Sequence, residues 1–285
     1  MIQANGYKLD VLVPTHNNLH LTMACLGALY ENTSVPFHII IVDDSTDLTP
    51  LYFADILKER DNITYIHSDE PYKSGNQFFN IGIANARTPY IATVMNSVRV
   101  EPDWETAALQ LLDEDPEAGI VGLKCLLPSG LIESAGIKMW EWLPTDIGSH
   151  YPAHRLSCIY ECDSVQWALA ITRKKAIEGN LEEDIFYGFR GWDDIDNSFV
   201  LKSKGWKVFY CGLGAGYHQP RASRGDDGTQ AAIENRANGE AFYKRWGFWD
   251  KFVKAGEEIP QLTPEGWIHR PPDYGAGWML PEAAE

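Results

Sequence analysis

Short runs rich in Val, Ile and Leu alternate with stretches of helical periodicity through the first half of the chain, and few folds accommodate that order. Apolar runs at 9–14, 37–42, 63–67, 90–95 and 119–123 read as strands. Between the first two, Leu19, Met23, Leu26 and Leu29 or Tyr30 recur at helical spacing behind Asn17 or Asn18, either of which can cap the helix. Residues 80–86 and 104–112 supply further helices, the second preceded by Pro102 and Asp103. Strand-helix repeats of this kind build an α/β fold, a mostly parallel central sheet flanked by helices. A chain of 285 residues, 45% of them hydrophobic, can bury one large core.

The second half is less regular. Residues 128–162 are rich in Gly, Pro, Trp and His and read as long loops or a small excursion over one face of the sheet. Strand character returns at 163–172, an amphipathic helix fits 195–204, and 206–211 reads as another strand. Residues 229–254 read as helical with an interruption near Trp246-Gly247, and 259–285 as a Pro-, Gly- and Trp-rich tail. The expected division is a domain over 1–225 and a helical extension with its tail over 226–285.

Acidic residues outnumber basic ones 40 to 24, a formal charge of −16. Such a surface repels nucleic-acid phosphates and anionic membranes. The densest basic cluster, Arg173-Lys174-Lys175, reads as a solvated turn. Five scattered cysteines form no disulfide framework and no paired zinc motif, which points to a reducing compartment. The single apolar run near the N-terminus is too short for a signal peptide or a membrane span, so a cytoplasmic protein is expected.

Three polar constellations follow apolar runs. Asp43 and Asp44, in Val42-Asp43-Asp44-Ser45-Thr46-Asp47, end a strand at the sheet edge where open α/β folds bind ligands, and they could accept hydrogen bonds from a ribose or a base. An Asp-rich turn capping the next helix is the plainer alternative. Val13-Pro14-Thr15-His16-Asn17-Asn18 ends the first strand at the same edge. Gly191-Trp192-Asp193-Asp194-Ile195-Asp196 places three carboxylates beside an indole, an acid/base cluster next to a ring that can stack on a sugar. Adjacent acids raise one another's pKa, which suits a general base. The same three acids would also suit the first turn of a helix, where the dipole favours them.

In this order, and over roughly residues 8–220, these segments together with Gly75-Asn76, Asn80-Ile81-Gly82, Val100-Glu101-Pro102-Asp103-Trp104, Gly205-Trp206 and His218 resemble the family 2 glycosyltransferases with the A-type glycosyltransferase fold. The resemblance implies that Pro14, Thr15, Asp43 and Asp44 hold the nucleoside of a nucleotide-sugar donor, with Asn76, Asn80, Asn96 and Ser97 nearby. It implies Asp194 as the general base for an acceptor hydroxyl, Asp193 as the group that orients the acceptor, and Trp192 as a sugar-stacking ring. Trp167, in Ser164-Val165-Gln166-Trp167-Ala168, could narrow the sugar pocket or fill the core.

One departure from the family pattern bears on the cofactor. Where the family places Asp-x-Asp or Asn-Asn-Asp, this chain reads Val94-Met95-Asn96-Ser97-Val98-Arg99, so Met95 and Ser97 stand at the acidic positions. Neither offers the anionic oxygen that a hard divalent cation prefers. Three outcomes are open: a metal held by His218 and the diphosphate, Mn²⁺ rather than Mg²⁺ given the imidazole; a substitute cation such as Arg99 or Lys73; or lost activity. The expected function is transfer of a sugar from a nucleotide donor, a UDP-sugar, to a carbohydrate or other hydroxyl acceptor with inversion. The alternative is a catalytically silent module that binds nucleotide-sugar or glycan. A nucleotidyltransferase fits less well, because no Gly-rich phosphate loop with a following Lys lies near the first strand.

Overall fold

The computed structural model describes residues 6–186, 188, 191–220, 222 and 228–258. The expected tail at 259–285 lies outside them. The chain order begins β1 (Leu9–Thr15), α1 (Leu19–Asn32), β2 (Phe37–Asp43), α2 (Thr49–Ile56), β3 (Ile63–His67), α3 (Gly75–Asn85), β4 (Tyr90–Val94), β5 (Val98–Val100) and α4 (Thr106–Glu114). It continues β6 (Ala118–Leu126), β7 (Ile132–Ser134), β8 (Ile137–Trp140), β9 (Leu143–Asp146), β10 (Ile159–Glu161), β11 (Leu169–Arg173), α5 (Lys174–Ile177), α6 (Asp193–Ser203), β12 (Lys207–His218), α7 (Gly228–Arg245) and α8 (Trp249–Glu258).

The main sheet runs β10-β12-β6-β11-β4-β1-β2-β3, with β5 beside β12 and β7 beside β6. Strand β1 pairs in parallel with both β2 and β4, so the chain winds outward through β2 and β3 and then crosses to the other side of β1. That reversal opens a crevice at the carboxyl ends of β1 and β4, where helices on opposite faces diverge. Strand β11 runs antiparallel to both β4 and β6.

Side chains alternate across the strands as the two-residue period requires. Val11, Val13, Ile39 and Ile41 join α1 and α4 residues in one core layer, whereas Leu12, Ile40 and Val42 join Phe78, Phe79 and Ile83 of α3 in the other. A third, aromatic cluster holds Trp192, Ile195, Phe242 and Tyr243, with Trp142, Trp246 and Phe252 at its rim.

Differences from the sequence reading have local causes. Helix α3 begins at Gly75, five residues before the expected start, because the weak helix formers Gly75 and Asn76 are held by tertiary contacts. Helix α2 has too short an apolar face to stand out. The expected strand at 163–172 forms only from Leu169. Strand β12 continues seven residues beyond the expected end at 211, because an irregularity between Cys211 and Ala215 lets its glycine-rich stretch keep pairing with β6. The region 128–162 contributes β7 to β10, and the helical stretch breaks between α7 and α8 at residues 246–248. All five cysteines are free.

Helix α7 is tied to α6 through Asp196, which is 2% exposed: Trp246 Nε1 donates to Asp196 Oδ1 at 2.7 Å and Arg245 Nε lies 3.3 Å from the same oxygen. Burial pushes this carboxyl from 3.8 to about 6, against the lowering effect of the Trp246 N–H and the Arg245 charge. A folded-state pKa above the unfolded value means the folded chain holds the proton more tightly. The stability this contributes is present below about pH 4 and is lost as pH rises through about 6. An Asp196→Asn variant, which keeps an oxygen for Trp246, is therefore expected to gain on wild type by on the order of 1–3 kcal/mol between pH 4 and pH 7. Urea midpoints across that range check it; parallel curves would remove Asp196 as the source.

Candidate functional site

A cavity of about 290 Å³ occupies the crevice at the carboxyl ends of β1 and β4, closed by the first turns of α3 and α6 and by the end of β12. Its size is at the small end for a ligand pocket. Of the residues the sequence singled out, Pro14, Thr15, Asn96, Ser97, Trp167, Asp193, Asp194 and His218 line it. They come from separate elements that the topology gathers at one edge, with Asn96 and Ser97 in the turn between β4 and β5. Asn96 Nδ2 donates to Thr22 Oγ1 at 3.1 Å, and Gln219 N donates to Ser97 O at 3.1 Å, which ties that turn to α1 and to the end of β12.

Asp43, Asp44, Asn76, Asn80 and Trp192 lie behind this lining. Asp43 is fully buried, accepting from Ser45 at Oδ1 and from Tyr65 Oη at 2.6 Å on Oδ2, with His67 Nδ1 3.1 Å away. Asp44 holds His16 Nδ1 at 2.8 Å and accepts from Tyr72 N at 2.9 Å. The cavity is therefore met at this corner by the His16 imidazole with Asp44 behind it. The hydrogen bond that His16 Nδ1 donates to Asp44, aided by nearby acidic charge and opposed by partial burial, raises the His16 pKa. His16 was legible in the sequence only as part of a strand-end motif.

Asn76 and Asn80 serve as clamps. Asn76 Nδ2 donates to Glu182 O at 2.8 Å and exchanges hydrogen bonds with Asn197 on α6, while Asn80 Nδ2 reaches Leu181 O and Glu183 Oε1. These bonds fix α3 against the segment leading into α6. Trp192 is 6% exposed and faces Phe242 and Tyr243, at centroid distances of 5.4 and 5.1 Å. Its ring belongs to the aromatic core, which corrects the expectation of a sugar-stacking platform. Trp167 is 1% exposed, tilted against Phe79 at 5.1 Å, and forms part of the cavity floor with Phe78 and Met95.

The acids Asp193 and Asp194 open α6, so the helix dipole supports their ionised form while they face the cavity. Across from them, Gly75 opens α3. A Cβ built there would stand 2.2 Å from Asp193 Oδ2, the end of a flexible side chain. Gly75→Ala is accordingly expected to change stability by less than about 1 kcal/mol while displacing the Asp193 carboxylate and lowering turnover. Thermal melting beside steady-state kinetics separates the two; unaltered kinetics would show that Asp193 has room to move.

On the far wall Glu133 of β7 joins His218, whose Nδ1 lies 2.7 Å from Glu133 Oε2. Both line the cavity and both are mostly buried, 14% and 16% exposed. Among the described residues, the lining holds no Lys or Arg side chain; Arg99 and Lys73 lie outside it. Nor do three His, Cys, Asp or Glu side chains converge as a metal-ligating group among the described residues.

The model of the family described as glycosyl transferase family 2 matches residues 10–124, the stretch that runs from β1 through α4 into β6. The match is confined to that stretch. In its fold the chain is similar to the crystal structure of GalNAc-T7 with UDP, GalNAc and Mn²⁺, at a TM-score of 0.65 and 13% identity over 92% of this chain and 53% of that one. It is also similar to Staphylococcus aureus TarS residues 1–349 in complex with UDP-GlcNAc, at a TM-score of 0.57 and 14% identity over 91% of this chain and 77% of that one. These likenesses establish the A-type glycosyltransferase fold. A curated relative, the uncharacterized protein y4gI of Sinorhizobium fredii (strain NBRC 101917 / NGR234), is 23% identical over 256 residues, 84% of this chain. The chain spans only 27% of that relative's length.

Proposed function

We propose that this chain is a glycosyltransferase that moves a sugar from a UDP-sugar to a hydroxyl acceptor with inversion, and that Asp194 is the general base. The observation that carries the reading is the placement of Asp193 and Asp194 at the start of α6, facing the cavity at the sheet's switch point. The acceptor hydroxyl gives its proton to the Asp194 carboxylate as its oxygen bonds to the anomeric carbon, and the bond from that carbon to the diphosphate breaks with its electron pair. Attack opposite the leaving group inverts the centre. Asp193 orients the acceptor, Pro14 and Thr15 border the donor's nucleoside, and Trp167 borders its sugar. The bound nucleotide and sugars of the two similar structures support a UDP-sugar donor.

A diphosphate entering a cavity lined by Glu133, Asp193 and Asp194, with His16 and His218 as its basic side chains among the described residues, needs a counter-charge. No three His, Cys, Asp or Glu side chains converge there among the described residues, so a divalent cation would depend on the phosphates and water for most of its ligands, with His218, Ser97 and Asn96 bordering the same space. When bound, such a cation, Mn²⁺ by the imidazole's preference, would neutralise the departing diphosphate. The residues at hand hold the acceptor, take its proton and exclude water through the apolar floor.

Nucleotide release from a panel of sugar nucleotides, with Mn²⁺, with Mg²⁺ and with a chelator, tests the reading. UDP release above background from a UDP-sugar is expected. Binding of UDP-sugars without release, for any acceptor offered, would favour the second reading, a silent nucleotide-sugar or glycan module, which draws support from Met95 and Ser97 at the acidic positions. No helix among the described residues is long and apolar enough to cross a membrane.

A further inference from the structure

We propose that His16, held on Asp44, supplies the counter-charge for the donor diphosphate: it meets a phosphate oxygen as an imidazolium, so that the donor binds without a metal ion. This inference rests on the proposed UDP-sugar reading. The acidic motif positions supply no cation site, since Met95 and Ser97 stand there and no three His, Cys, Asp or Glu side chains converge among the described residues. Arg99 and Lys73 lie outside the lining, while Glu133, Asp193 and Asp194 already make it acidic. An entering diphosphate therefore has His16 and His218 as the basic side chains within the lining, among the described residues. His16 has the larger acidic backing, with Asp43, Asp44 and Asp47 all favouring its charged form. Its ring is 35% exposed, whereas the Asp44 side chain is 1% exposed and is fixed by the Tyr72 N–H on Oδ2.

An ionised carboxylate can only accept, so the 2.8 Å contact with Asp44 Oδ1 keeps a hydrogen on Nδ1 whether the ring is neutral or charged. In the neutral ring Nε2 keeps its lone pair and takes a long hydrogen bond from Asn17 Nδ2 at 3.3 Å. That amide is not free to flip, because its Oδ1 accepts from Thr46 N at 2.9 Å and Asp47 N at 3.2 Å. A proton on Nε2 would thus face a second donor, and the imidazolium needs an acceptor from the cavity. A phosphate oxygen offsets the lost Asn17 contact best, because a hydrogen bond between two charged groups is about twice as strong as a neutral one. Proton uptake also removes one negative charge from the Asp44–His16 pair. Asp43, Asp44 and Asp47 raise the His16 pKa against partial burial. Tyr65 and His67 bond to Asp43 behind the pair, and Asp193, Asp194, Glu133 and His218 stand around the cavity. With His67 and His218 near, a His16 variant is needed to assign the proton.

The test uses the full chain in chelator with UDP as the probe, by titration calorimetry between pH 7 and 9 in buffers of different ionisation enthalpy. The terminal phosphate of UDP, with a pKa near 6, has finished titrating there. Wild type is expected to bind UDP with net proton uptake, its affinity falling by up to about tenfold per pH unit as the unliganded ring becomes neutral. His16→Gln should bind UDP about 10- to 100-fold more weakly at pH 7, the worth of a hydrogen bond to a charged group, with no proton uptake and a flat pH profile. A second measurement on the wild type does not depend on the variant's binding: the ¹⁵N NMR signal of the His16 ring, assigned by its loss in His16→Gln, should move to that of an imidazolium when UDP is added and stay unchanged with uridine, which lacks the phosphates. UDP binding that requires Mn²⁺, the same proton uptake in His16→Gln as in wild type, no uptake across this range, or an equal shift with uridine overturns the role of His16 and leaves the UDP-sugar reading intact. Failure of wild type to bind UDP with or without Mn²⁺ overturns both.

Discussion

Replacing Asp194 with Asn is expected to lower the kcat of sugar transfer by about 10²- to 10⁴-fold, the usual contribution of a positioned general base, while donor affinity stays at the wild-type level. The substitution keeps the shape of the side chain and an oxygen for the Ile195 N–H that Asp194 Oδ1 accepts at 2.9 Å. Its backbone carbonyl continues to accept from Ser198 Oγ at 2.9 Å, so the first turn of α6 should persist. What the amide cannot do is take a proton. Loss of one negative charge at a helix start costs only about 0.3–1 kcal/mol, so melting should barely shift. The loss should therefore appear in kcat, with the UDP dissociation constant flat. Wild-type turnover in the variant would remove Asp194 from the mechanism. Asp193→Asn should raise the acceptor KM more than it lowers kcat, because its place beside Gly75 suits orientation of the acceptor.

How far these roles were legible from sequence depends on whether a partner is near in the chain. The strand-helix order of the first half is a local property, set by side-chain period, and it gives the fold and the crevice between β1 and β4 directly. The acids of α6 were readable as an acid/base cluster or as a helix start; the structure puts them at the helix start and on the cavity lining, because that end of α6 opens onto the cavity. Asp43 and Asp44 were harder. Their position after β2 was evident, but Tyr65, His67 and His16, which occupy their oxygens, arrive from neighbouring strands by parallel register. Thr15, Asp43 and His67 stand opposite one another in that register, a pairing that periodicity alone does not specify. Trp192 was misassigned for a related reason. An indole beside three carboxylates looks like a binding platform until α7, some fifty residues later, covers it.

That cover makes Trp192→Ala the substitution with the largest expected effect on stability, a loss of about 3–5 kcal/mol as for other buried aromatic truncations. The ring fills the space between α6 and α7 in direct contact with the α7 backbone, where a Cβ built on Gly239 would stand 2.9 Å from Trp192 Cζ2. The backbone does not relieve it. Trp192 sits at φ 79° and ψ −25°, a left-handed conformation that non-glycine residues pay on the order of 1 kcal/mol to adopt, and an alanine keeps that strain without the packing that sustains it. Because the same residue precedes Asp193 and Asp194, loosening it should also let the turn that carries the proposed base drift, lowering kcat at temperatures where the variant is still folded. Trp192→Phe, which retains contact with Phe242 and Tyr243, should recover most of the stability and most of the turnover. A platform residue would behave in the opposite way. Its alanine variant would melt like wild type and raise the acceptor KM, and urea unfolding beside acceptor kinetics on the two variants distinguishes a ring that touches sugar from one that holds the base in place.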